Sequence, residues 1–241
     1  DIVKDATRSE GYIPVWRKDE KAWLEIPAER IGQPFLLSVN VATSVGERGL
    51  YASQMGPDWM AEFRRVGNQM QLIARNMDFR AGDQPGSKVA VAQAFPESLI
   101  ASTAVLSQAH PERKSVLIDA SFLIADLPGY TTYAERAFRL PYALDKANSF
   151  FESTRSEAGL TTLNVRAHFS TPRIPAPPLT PPPVPTPPPP TTTPDPRSFF
   201  VGFVVNLTQL PEQAMRPRRA FLRVAPSTEA YTDLGGDLKA N

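Results

Sequence analysis

The sequence contains no cysteine. That excludes disulfide staples, thiolate metal sites and cysteine nucleophiles together, while leaving the compartment open. Histidine is scarce: His110 and His168 are the only two. Neither sits in an HExxH segment, where two imidazoles one helical turn apart would share a zinc ion. Both read as surface histidines, His110 in a turn before proline and His168 on the polar face of a strand. No GxSxG elbow is present to hold a serine nucleophile. The glycines of "VGERGL" lack the spacing of a phosphate-binding loop and its strand-to-helix context. The formal net charge of +1 gives no field that would gather nucleic acid or an anionic membrane surface. No apolar run approaches the roughly 20 residues that span a bilayer as a helix. The opening "DIVKDATRSE" has neither Met nor a basic-then-apolar leader, and reads as a processed chain or a fragment.

What is present is a β-protein's pattern. With 41% hydrophobic and 21% charged residues, the 241-residue chain can build a real core. "GYIPVWRKDEKAWLEIP", Gly11 to Pro27, has two apolar, aromatic-bearing arms around a charged centre and reads as a hairpin. In "FLLSVNVATS", Leu37, Val39 and Val41 alternate with Ser38, Asn40 and Ala42, the period of a half-buried strand. "MAEFRRVGNQMQLIARNMDFRA" places a Gly67-Asn68 turn between two strand-like arms. "SVLIDASFLIAD" reads as a strand running into a short helix with Asp119 as its N-cap. "TTYAERAFRL" leaves one helical turn or two open. In "LTTLNVRAHFS", Leu163, Val165, Ala167 and Phe169 share one face, as do Phe199, Val201, Phe203, Val205 and Leu207 further on. The fold class is therefore mainly β: antiparallel sheets, as a sandwich or a curled saddle-like sheet, with a few short helices.

More than half of the 26 prolines fall between Pro172 and Pro196. Proline has no amide proton and a fixed φ, so this stretch suits neither a helix interior nor a central strand. It reads as an extended, solvated polyproline-II excursion joining two strands of one domain. A PxxP docking site is the sharper alternative.

Other candidate residues have plain readings. Asp119 is an acid among apolar neighbours, which a helix cap explains. Arg216 to Arg223, "RPRRAFLR", reads as a solvated or interface segment, and Asn206 heads an isolated "NLT" sequon. Paired carboxylates for hydrolysis cannot be recognised from spacing alone. No catalytic, cofactor-binding or metal-ligating residue is assigned.

Taken as a string, "GYIPVWRKDEKAWLEIP", "IGQPFLLSVNVATSVG", "MAEFRRVGNQMQLIARNMDFRA", "SVLIDASFLIAD" and "NLTQLPEQAMRPRRA" resemble one family. It is the β-rich domain of unknown function that precedes the HExxH catalytic domain in large bacterial zinc-dependent metallopeptidases. The similarity runs from about Gly11 to Ala220 and departs from the family in two ways. The HExxH helix and third zinc ligand have no counterpart here, so no catalytic residue carries over. After Ala220, "FLRVAPSTEAYTDLGG" keeps Arg223 and Val224 but has Phe221 and Leu222 before them and Ala225 after. The resemblance implies residues 1–10 as an N-terminal extension, 11–220 as one β-rich domain with the proline-rich linker at 171–197, and 221–241 as a tail. It implies a non-catalytic accessory domain of an exported, periplasmic or extracellular metallopeptidase. Its partners would be the catalytic domain of the same polypeptide and a peptide or protein substrate, with no nucleic acid and no membrane span. No cofactor is expected in this chain, and zinc only in the catalytic domain. The alternatives are a free-standing binding module for a surface protein or glycan, and an enzyme with an unrecognised carboxylate site.

Overall fold

The computed structural model describes residues 2–81, 85–176, 186–213 and 232–233. The chain opens with three strands, β1 (Thr7–Ser9), β2 (Val15–Lys18) and β3 (Lys21–Pro27). Next come β4 (Phe35–Thr43), β5 (Gln54–Val66), β6 (Gln69–Ala74), the short β7 (Phe79–Arg80) and helix α1 (Pro85–Ala94). β8 (Ser98–Ala104) and β9 (Ser115–Asp119) precede helix α2 (Tyr130–Phe138). The long strands β10 (Ala143–Glu157), β11 (Leu160–Ser170) and β12 (Ser198–Gln209) follow, with β13 (Thr232–Asp233) pairing parallel to β7.

Two antiparallel sheets organise these elements. Seven strands in the order β10-β11-β12-β4-β5-β6-β8 curl into a half-barrel, and four in the order β1-β2-β3-β9 form a smaller sheet. Alternation decides the large sheet. Leu37, Val39 and Val41 of β4, Leu163, Val165, Ala167 and Phe169 of β11, and Phe199, Val201, Phe203, Val205 and Leu207 of β12 are all buried. Their period of two puts one face of each strand inside, as expected from the sequence. The Gly67-Asn68 hairpin forms as read, with Gly67 at φ +58° and Val66 paired to Gln69. α2 lies inside the curl: Tyr130 packs its ring against Phe169, Phe199 and Phe203. Asp126 caps it, accepting from the amides of Tyr130 and Thr131 at 2.5 and 2.9 Å.

The small sheet bridges both edges of the half-barrel, so neither edge strand is left bare along its whole length. On one side Tyr12 donates its amide to Glu157 O at 2.7 Å, and Arg17 donates to the carbonyls of Phe151 and Glu152. On the other, Val105 and Ile118 form an antiparallel bridge and Leu106 N donates to Leu117 O. Gly11 sits at the first junction. A Cβ there would lie 2.1 Å from Ser156 Oγ and 2.4 Å from Glu157 N, so only glycine lets the chain pass. The opening hairpin of the sequence, β2 with β3, is thus a brace across the barrel. β1, in the stretch read as an N-terminal extension, adds a strand to it.

The proline-rich excursion is only partly as expected. Residues 177–185 lie outside the described set, as does the tail at 221–241 apart from Thr232 and Asp233. The far end of the excursion is tied to the half-barrel although Thr191 and Thr192 stay exposed to solvent. Thr191 and Thr192 donate their amides to Glu47 at 2.7 and 3.2 Å, Thr192 Oγ1 donates to Val45 O, and Tyr142 Oη donates to Pro196 O. The threonines of "TTTPDP" supply the donors that the prolines lack.

Candidate functional site

The most elaborate polar centre belongs to Glu25, in the "LEIP" of β3. Leu24 and Ile26 point into the core, which sends Glu25 to the opposite face of the small sheet. There it is covered by β1, β2 and the loop before β9, and is only 2% exposed. A carboxylate buried to this depth needs partners, and Glu25 has four. Arg8 Nε and Trp16 Nε1 donate to one oxygen at 2.8 Å each. Arg113 Nε and Ser115 Oγ donate to the other at 2.5 and 2.6 Å. Burial alone would push its pKa up. The hydrogen bonds from Arg8, Ser115, Trp16 and Arg113 more than offset that and hold it at about 2, against an ordinary 4.5. Such a group stays ionised at neutral pH and is not poised as a general acid. It joins the loop before β9 and three strands of the small sheet.

The two histidines are not brought together. His110 accepts the amides of Glu112 and Arg113 at Nδ1, 3.2 Å each, and closes the turn that presents Arg113. His168 lies on the polar face of β11, as read, but is more engaged than a surface residue. Its Nδ1 meets Asp145 Oδ2 at 3.0 Å and its ring tilts against Phe200. Among the described residues no three His, Asp or Glu side chains converge as a metal site. Asp119 caps a single 3-10 turn, Ala120–Leu123, accepting from Ser121 N at 2.7 Å, as expected. Asn206 on β12 accepts from Thr162 Oγ1 across the sheet. Arg216 to Arg223 lie outside the described residues.

Several clefts surround this frame. One of about 610 Å³ runs past Leu50, Met55, Pro57 and Tyr133, with no charged side chain in its lining among the described residues. Another, of about 540 Å³, carries Asp58, Asp78 and Asp126 beside Arg75. Of these acids, Asp126 is already committed to α2. A third, of about 450 Å³, opens beside Glu25 and Arg113. Sequence reasoning passed over both residues. The available signal was an acid set between Leu24 and Ile26 on a strand otherwise patterned for burial.

The architecture defines a β-rich domain: a half-barrel braced by a second sheet. The sequence profile of the family described as "Domain of unknown function (DUF5117)" matches residues 53–240, and the chain belongs to that family. The match begins at the end of the loop before β5, so the brace strands β1–β3 precede it. No curated protein and no solved structure matches the chain.

Proposed function

We propose that this domain is a non-catalytic accessory part of an exported bacterial zinc-dependent metallopeptidase, periplasmic or extracellular, flanking or stabilising a catalytic domain on the same polypeptide. In this reading zinc belongs to that catalytic domain, and a peptide or protein is its substrate. The reading starts from the string of segments that resemble the domain preceding HExxH peptidases. Within the structure, the use made of Glu25 supports it. The most deeply buried acid among the described residues is consumed by four donors that fasten the brace, rather than left to exchange a proton.

Two measurements test this. The reading frame that encodes the chain should carry an HExxH segment within a few hundred residues downstream. A stop codon just after Asn241 would favour the free-standing binding module instead. The chain alone should not cleave casein. Turnover that survives replacement of both His110 and His168 but is lost in Asp58→Asn or Asp78→Asn would overturn the proposal in favour of a carboxylate enzyme.

A further inference from the structure

The cleft beside Glu25 has the makings of a receptor. Its volume of about 450 Å³ is that of a small-ligand pocket, and Val3, Trp16 and Leu117 give it apolar walls. Three polar side chains in its lining have donors to spare. Arg113 spends only Nε on Glu25, at 2.5 Å, and among the described residues its two Nη atoms have no hydrogen-bond partner. His110 accepts two amides at Nδ1, which leaves the ring proton on Nε2. Ser107 Oγ accepts from Leu117 N at 3.0 Å, so its own hydroxyl proton is free to donate.

Glu25 fixes the guanidinium by one edge. A fork held this way loses little further freedom when its other edge engages a planar two-oxygen anion. Arg8 and Arg113 flank a single carboxylate, so the pair of cations is not neutralised by Glu25 alone. Arg8 takes a second acid, the exposed Glu10, whereas among the described residues Arg113 pairs with Glu25. Two cations thus meet two acids, and what Arg113 offers the cleft is its unengaged Nη edge, aimed by Glu25, rather than a surplus of charge.

We propose that this cleft binds a carboxylate carried on an apolar body, with the Arg113 fork on the carboxylate, His110 and Ser107 donating beside it, and the apolar body against Trp16, Val3 and Leu117. Glu25 is the positioning residue that aims Arg113. Two sources present this chemistry: the C-terminus of a peptide ending in an apolar residue, and a free apolar carboxylic acid. The assignment is independent of the accessory-domain reading and stands or falls separately from it.

The test uses the full chain, labelled with nitrogen-15, and follows the Trp16 indole N–H during titration. N-acetyl-phenylalanine should shift it saturably, and the neutral N-acetyl-phenylalanine amide should bind about tenfold more weakly, since the charge-assisted fork is lost. Arg113→Lys keeps the charge and a partner for Glu25 but not the fork, and should weaken the acid by about tenfold while leaving the amide unchanged. Ala109→Trp fills the exposed mouth without touching the Glu25 network, and should abolish binding with thermal unfolding unchanged. 3-Phenylpropanoate separates the sources. Binding equal to that of the acetylated amino acid assigns free acids, and much weaker binding assigns a peptide C-terminus. Equal affinity for acid and amide, no saturable shift at Trp16, or unchanged binding in both variants would overturn the proposal.

Discussion

The two sheets are held by different physics. The half-barrel is fastened by area: β4, β11 and β12 each turn an apolar face inward, broken on β11 only by Thr161, and the aromatic group around Tyr130 fills the curl. The brace also buries Leu24, Ile26, Val116 and Ile118, but its other face is closed by one carboxylate that four donors converge on. Apolar burial is forgiving, because each contact adds a little and neighbours can shift. A buried ion-pair centre is not, because removing one member leaves the others desolvated and unpaired.

That contrast can be broken by substitution, and the largest effect belongs to the brace. Glu25→Ala strands Arg8, Arg113, Trp16 and Ser115, and should cost about 3–5 kcal/mol in urea unfolding. In the half-barrel, Leu37→Ala removes a fully buried side chain of β4 and should cost about 3 kcal/mol. At the junction of the two sheets, Gly11→Ala forces the backbone away from Ser156 and Glu157, with an expected loss of about 2 kcal/mol. The Glu47 tether should matter least. Glu47→Gln leaves the threonine amides a neutral acceptor, and its midpoint should shift by less than that of any of the other three. An effect for Leu37→Ala larger than for Glu25→Ala would put the weight of the fold back on apolar burial alone.

Much of this was legible in the sequence, and the exceptions have reasons. β4, β11 and β12 announce themselves because each has one buried face and therefore strict alternation. β10 does not. It lies at the sheet edge, its register shifts between Asp145 and Phe150 and again near Phe151, and polar residues fill most of it. β8, "SLIASTA", is a partly exposed strand of small residues with no alternating signal. The end of the proline-rich stretch looked solvated because prolines dominate it. Its docking depends on Thr191 and Thr192 and on Glu47, more than 140 residues away in sequence. The network around Glu25 was hidden for a similar reason, although the acid itself stood out between Leu24 and Ile26. Its partners come from residues 8, 16, 113 and 115, and no local pattern says that these will meet. Asp119 was readable because a cap needs only its own neighbours.

The central claim is that an ionised Glu25 locks the brace, and stability as a function of pH tests it most directly. The group titrates near 4.5 when unfolded and at about 2 when folded. Its contribution is therefore fully present above pH 4.5 and is lost as pH falls from there toward 2. Urea unfolding of the natural chain and of Glu25→Gln, run side by side from pH 7 to pH 2, should give curves whose separation is constant above about pH 5 and shrinks steadily below it. Two curves that stay parallel down to pH 2 would contradict the account, since the carboxylate would then be contributing nothing that depends on its charge.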